Sequence, residues 1–318
     1  MTDQVVKKAV ISFGEILWDI FPFGNVLGGA PFNLAFRVNS LGEQGIIASR
    51  LGRDELGRKA CQQVLSLGLD TSYIQWDEHK PTGTVKVTFA PDNTHDFYIV
   101  PGVAYDNIEA TDSLLEAAHR CDFFCFGTLV QRSARARHAL EKLLEAAAKG
   151  KKFLDINLRK DCYDLETVKR SLAWAGILKL NDNEAAELAL MLFGQNCSVP
   201  DFCEKLVEKY SLECCLVTFG ERGVFANSNL GEKVYVPGYR VELVDTVGSG
   251  DAFSAGFVHA KLQNLPLAES CRVGNLLGAL VATTKGATAE ISPEKIASFS
   301  INNPERVIDP EYERFMAG

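Results

Sequence analysis

From about residue 120 onward, short apolar runs of strand length alternate with segments whose apolar residues recur at helical spacing. Residues 123–127 read as a buried strand, and 133–149 as a helix gathering Ala136, Leu140, Leu143, Leu144 and Ala147 on one face. Residues 152–157, 177–181 and 214–219 are the next strands, with helices over 164–175 and 183–193 between them. Strict alternation predicts an α/β fold, a doubly wound, mostly parallel sheet with helices on both faces. No linker, low-complexity stretch or internal repeat divides the chain, so residues 1–318 read as one domain.

One region breaks the alternation. Val85, Val87 and Phe89 alternate with Thr84, Lys86 and Thr88, the period of a strand with one wet face. Pro91-Asp92-Asn93 supplies turn chemistry, and 96–100 is a second extended run. This hairpin has no helix of its own to bury its apolar side, so it is expected to cover an active site, a partner subunit, or both. Together, segments of about 14–30 and 82–101 would form a small β-sheet lid.

Charge narrows the partners. With 33 Lys and Arg against 41 Asp and Glu, the net charge of -8 repels phosphate backbones and anionic lipid. A single nucleotide can still bind in a locally positive cleft. Lys7 and Lys8 precede an apolar stretch that Glu15 and Asp19 interrupt too early for a signal peptide. No apolar run reaches the ~18 residues of a membrane span. The nine cysteines fit no disulfide framework or zinc ribbon. Cys121, Cys125, Cys214 and Cys215 read as small buried hydrophobes, and the expected compartment is the cytoplasm.

The strongest chemical signal is Asp245-Thr246-Val247-Gly248-Ser249-Gly250-Asp251-Ala252-Phe253. A strand-like run at 241–244 feeds a glycine-rich turn that opens into a helix over 252–262. Glycines let backbone approach a ligand, and a first helical turn offers unpaired N–H groups and a positive dipole end. That arrangement binds an anion. Asp251 beside it suits a base that takes a proton from a hydroxyl in line with a phosphoryl group. Alone, the motif fits a helix N-cap equally well. It is not a dinucleotide fingerprint, because Phe253 stands where the third glycine belongs, and the chain holds no P-loop. A nicotinamide oxidoreductase is thereby disfavoured.

Gly28-Gly29-Ala30-Pro31-Phe32-Asn33 again leads a tight turn into a helix, though an ordinary Gly-Gly turn would read the same way. Upstream, Gly14-Glu15-Ile16-Leu17-Trp18-Asp19 puts acidic residues at the end of the first strand. Asp155-Ile156-Asn157-Leu158-Arg159 and Asn181-Asp182-Asn183-Glu184 repeat that placement after later strands, where ligands of open α/β sheets collect.

These positions together resemble the ribokinase-like (PfkB) sugar kinases over almost the whole length. Asp245–Phe253 is similar to that family's D-T-x-G-A-G-D signature, with Ser249 where Ala is usual. The stretch from Gly28 to Asn33, continued by Leu34 and Ala35, matches the N-terminal glycine motif in a form typical of fructokinases. Gly52-Arg53-Asp54-Glu55-Leu56-Gly57 matches a further element. The resemblance implies transfer of the γ-phosphoryl group of ATP to a sugar hydroxyl, with Mg²⁺ and a monovalent cation such as K⁺. It implies Asp251 as general base and Gly248, Ser249 and Gly250 as anion hole. Asp19, Gly28, Gly29, Asn33 and Arg159 would hold the sugar, with Phe97 of the lid in reach. Asn181 and Glu184 would order water around Mg²⁺. Thr218, Gly220 and Gly223 would line the nucleotide, with Asn275 near the base, and Asp245 with the Val247 carbonyl would hold the monovalent cation. Plainer readings remain for Arg159 as a surface arginine, Glu184 as first-turn charge and Asn275 as helix packing. Fructose is the expected acceptor, from Gly-Gly-Ala-Pro-x-Asn and Asp155-x-Asn157-x-Arg159; ribose, a nucleoside or another ketose is the alternative. A non-catalytic sugar-binding regulator would have lost the base or the anion hole, and both are present. Kinases of this family often pair lids across a two-fold axis, which implies a homodimer.

Overall fold

A computed structural model describes residues 7–21, 24–89, 95–302 and 305–316, with backbone alone at 87–89 and 95–97. A nine-stranded sheet runs Lys233–Val236, Val224–Ser228, Cys214–Thr218, Ile177–Asn181, Lys151–Asp155, Phe123–Phe126, Ala9–Phe13, Gln44–Gly52, Ile74–Asp77. From Cys214–Thr218 to Ile74–Asp77 every pairing is parallel. The first two strands form an antiparallel edge.

Period-2 alternation sorts the strand residues onto two cores. Ile11, Phe13, Phe124, Phe126, Leu154 and Leu180 enter one cluster. Val10, Phe123, Cys125, Phe153, Ile177 and Leu216 enter the other. Burial on both faces is why these runs lack polar alternation. All nine cysteines are free thiols, and Cys121, Cys125, Cys214 and Cys215 are buried. No helix of the described residues is long and apolar enough to cross a membrane.

Helix ends follow the local sequence. Asn181 and Glu184 form a capping box at 2.9 and 2.8 Å, which starts the helix Asp182–Phe193. The Asp164 side chain accepts from Thr167 N at 2.7 Å, so that helix begins at Leu165. The helices Ser249–Leu262 and Leu267–Ala282 pack closely. A Cβ on Gly274 would stand 2.8 Å from the Phe253 ring, so only glycine fits.

The run 241–244 is not a strand. Leu243 and Val244 are 63% and 60% exposed, and Val244 N donates to the carbonyl of Ala282 rather than to a sheet partner. Its apolar residues read as strand, but it joins no sheet among the described residues and runs exposed past the end of the helix Leu267–Ala282.

A second sheet orders Gly24–Gly28, Leu17–Phe21, Gly83–Phe89, His95–Ile99. Two antiparallel hairpins meet through parallel pairing of Leu17–Phe21 with Gly83–Phe89. Trp18 and Leu27 bury against the body, and Trp18 Nε1 donates to the Leu56 carbonyl at 3.0 Å. The stem at Thr82 is tied by Asp54, which accepts from Thr82 N at 2.8 Å and from its Oγ1 at 2.7 Å. Thus the Gly52–Gly57 element anchors the small sheet. Val85 is buried, whereas Val26 and Tyr98 are exposed. The side chains of Val87, Phe89 and Phe97 lie outside the described residues.

Candidate active site

Chain order runs outward in both directions from the neighbouring strands Ala9–Phe13 and Phe123–Phe126, which makes their carboxyl ends the switch point of the sheet. A cavity opens there, lined among others by Glu15, Ala30, Cys125, Asp155, Asn157 and Asp251.

One wall is the start of the helix Ser249–Leu262. Gly248 caps it at φ 80, and a Cβ there would stand 2.3 Å from the Ala287 Cβ. The left-handed backbone and the tight contact both demand glycine. Ser249 N donates to the Thr246 carbonyl at 3.2 Å, so its N–H is partly committed. Those of Gly248 and Gly250 have no acceptor among the described residues. Asp251 lies in the first turn with its side chain in the cavity. Burial, with the Asp155 charge adding to it, pushes the Asp251 carboxyl up to about 6. The Asn33 hydrogen bond, Lys179 and Arg159 oppose that rise.

The facing wall is the helix Ala30–Ser40. Gly29 precedes it at φ 119, where a Cβ would collide with the Glu15 carbonyl oxygen at 2.3 Å. One turn in, Asn33 Nδ2 donates to Asp251 Oδ2 at 2.8 Å. Asn33 Oδ1 is buried with no partner among the described residues. Asp19 projects over Gly28, where a Cβ would stand 3.0 Å from Asp19 Oδ2. Burial raises Asp19 to about 6 and Glu15 to about 7. Arg159 is exposed, and its charge opposes the rise at Glu15, Asp19 and Asp251 alike.

The residues expected on the nucleotide side are more tightly engaged. Glu184 accepts from Leu158 N at 2.9 Å and from Asn181 N at 2.8 Å, one bond on each oxygen, and burial raises its pKa. Thr218 Oγ1 donates to the Leu180 carbonyl at 3.3 Å. Gly220 and Gly223 turn the chain at φ 60 and 96, and a Cβ on Gly223 would meet the Val236 carbonyl oxygen at 2.1 Å. Asn275 is buried, and its amide donates to the carbonyls of Val236 and Pro237 at 2.9 and 3.3 Å. Its amide protons therefore hold a loop. Asp245 accepts from Val247 N and from Gly286 N, both at 3.0 Å, knitting the glycine turn to the loop after Ala282.

Three residues of this region escaped sequence reasoning. Lys179 Nζ stands 3.1 Å from both oxygens of Asp155, which also accepts from Ser254 Oγ at 2.9 Å. Asp155 is thus paired within the protein rather than free for a ligand. Arg37 is 1% exposed and donates to the carbonyls of Ala287 and Ala289, both at 3.0 Å, steadying the loop against Gly248. A lysine inside the apolar run Ile177-Leu178-Lys179-Leu180 was the available signal.

A helix end with two uncommitted N–H groups, a half-buried carboxylate beside it and a switch-point cavity are elements suited to phosphoryl transfer. The pattern of the pfkB family carbohydrate kinase matches residues 3–295, and the chain belongs to that family. It is an ATP-dependent carbohydrate kinase. Fructokinase-1 of Zea mays is 28% identical, covering 91% of this chain and 96% of its own. Fructokinase of Xylella fastidiosa with bound ATP superposes with a TM-score of 0.81 at 21% identity, over 93% of this chain and 99% of its own. The 2-dehydro-3-deoxygluconokinase of Thermotoga maritima also reaches 0.81, at 19% identity over 92% and 99%.

Proposed function

We propose that this kinase phosphorylates fructose, with Asp251 as general base. The observation that carries the reading is the hydrogen bond from Asn33 to Asp251, a carboxylate that lines the switch-point cavity. It joins a sugar-side helix to the carboxylate at an anion-binding helix end. A sugar hydroxyl docked on Asp251, with a second sugar hydroxyl donating to Asn33 Oδ1, gives its proton to Asp251 as its oxygen attacks the γ-phosphorus. The N–H groups of Gly248 and Gly250, with the helix dipole, take up the charge on the transferred group. A carboxylate raised to about 6 is ionised at neutral pH yet close enough in pKa to accept a proton efficiently.

Asp19, Gly28, Gly29 and Arg159 surround the rest of the sugar in this reading. Fructose is favoured by the Gly-Gly-Ala-Pro-Phe-Asn turn and by the fructokinase relatives. Asp155, bound to Lys179 and Ser254, adds nothing to that choice. Glu184 keeps a lone pair on each oxygen beyond its backbone bonds, a donor set suited to the water shell of Mg²⁺. Bound with the phosphates, Mg²⁺ would neutralise charge developing on them. Asp245 and the Val247 carbonyl would hold K⁺ beside the turn. Thr218, Gly220 and Gly223 would line the nucleotide, with Asn275 acting through the 236–237 loop.

The small sheet closes over the sugar and excludes water, which favours transfer over hydrolysis. Val26 and Tyr98 are exposed on opposite faces of the small sheet, and such uncovered apolar surface suits a two-fold pairing of copies. Coupled ADP release across fructose, ribose, nucleosides, 2-dehydro-3-deoxygluconate and other ketoses tests the acceptor. Fructose should give the highest kcat/KM, and a tenfold preference for another sugar would remove it.

A further inference from the structure

Lys179 belongs to the strand Ile177–Asn181, where Ile177, Leu178 and Leu180 are all fully buried. Its own side chain is 9% exposed. An ammonium among such neighbours is costly unless paired, and Asp155 pairs it through both oxygens at 3.1 Å. Ser254, one turn along the helix from Gly250, holds Asp155 from the far side at 2.9 Å. A methyl group on Gly250 would stand 3.3 Å from Lys179 Nζ. The ammonium is therefore lodged directly beneath the glycine turn.

A buried ion pair can serve the fold alone, but three features ask for more. An ammonium carries three N–H groups, and one carboxylate takes at most two. The third has no acceptor among the described residues, and Gly250 leaves its side clear of side-chain atoms. Lys179 also faces more negative charge than Asp155 brings, because Glu184 and Asp251 act on it as well. An apolar side chain would complete this strand more simply.

We propose that Lys179 is a catalytic residue whose ammonium donates to an oxygen of the phosphoryl group in transfer, aimed there by Asp155 and Ser254. This rests on reading Asp251 as the base and the glycine turn as the anion site. In the step, the sugar oxygen bonds to the γ-phosphorus as its proton passes to Asp251. The bond from that phosphorus to the bridging oxygen breaks, and its electron pair leaves with ADP. Lys179 keeps its proton throughout and spreads the charge on the equatorial oxygens.

Two variants test it. Lys179→Met alone would strand a buried carboxylate, so it is combined with Asp155→Asn. The double variant should melt near wild type, bind ATP and sugar within a few-fold, and lose about 10²-fold or more in kcat, the size of one preorganised donor. Lys179→Arg keeps the charge and the pair but displaces the donor, and should lose about tenfold with little change in melting. Either variant turning over within a few-fold of wild type would overturn the proposal. With sugar present, aluminium fluoride should tighten ADP binding to wild type and not to the double variant; equal tightening overturns it too. Asp251→Asn is measured alongside. Full activity there defeats the base assignment, and the aluminium fluoride comparison still judges Lys179 by itself.

Discussion

Asn33 Nδ2 donates to Asp251 Oδ2 at 2.8 Å, joining two residues 218 positions apart. Each stands in the first turn or so of a helix that begins at a glycine held at positive φ, Gly29 or Gly248. The two turns face each other across the cavity, so a group bound by one is presented to the other. The bond also stabilises the ionised form of Asp251, the strongest of the influences opposing burial.

The pH profile should report this. With the Asp251 carboxyl near 6, kcat/KM should fall with unit slope below about that pH. Asn33→Ala removes a bond to the charged form, so its acidic limb should move to higher pH. Profiles of both proteins from pH 5 to 8.5 check this; an unmoved or lower limb contradicts it.

Asp251 should also cost stability. Its folded pKa lies above the unfolded value near 3.9, so the folded state binds the extra proton between about pH 4 and 6. Stability is lost as pH rises through that window, and the cost is complete above it. Asp251→Asn has no such cost and can still accept from Asn33 Nδ2. It should be more stable than wild type by ~1–2 kcal/mol at pH 7.5, after discounting for the solvent that reaches the cavity. The gap should narrow to roughly a third by pH 4.5. Denaturant melts at both pH values measure it, and a variant less stable at pH 7.5 refutes it.

Gly248→Ala forces a Cβ to within 2.3 Å of the Ala287 Cβ at a φ of 80. The left-handed backbone alone costs ~1–2 kcal/mol, and the loop that Arg37 pins by two hydrogen bonds has little freedom to yield. Melting should drop and kcat should fall by tenfold or more, because the turn's N–H groups are displaced. Unchanged kcat at saturating ATP would mean that the turn does not touch the transferred group.

The parallel strands were legible because burial on both faces leaves uninterrupted apolar runs such as Phe123–Phe126 and Cys214–Val217. The hairpin was legible because one face of it is wet. The 241–244 segment misled because Val241, Leu243 and Val244 have strand composition, and composition does not reveal that Val244 N–H goes to the Ala282 carbonyl instead of a strand. Within the site, the glycine turns and Asp251 announce themselves locally, since positive φ and helix ends leave sequence marks. The pairings do not. Lys179 meets Asp155 across neighbouring strands, and Asn275 spends its amide on carbonyls about 38 residues away, contacts that only folding creates.

Solution mass tests the two-fold pairing of small sheets. Light scattering at micromolar concentration should report a dimer. Tyr98→Lys with Val26→Lys should shift it toward monomer while melting of the body stays near wild type. A fully active wild-type monomer would defeat the pairing.

The central claim is that Asp251 takes the proton from the sugar. The most direct measurement is turnover of Asp251→Asn with saturating ATP and the preferred sugar, beside calorimetric binding of ATP. Removing a general base should lower kcat by roughly 10²–10⁴-fold, with ATP affinity within a few-fold of wild type. A variant that turns over within a few-fold of wild type would contradict the account.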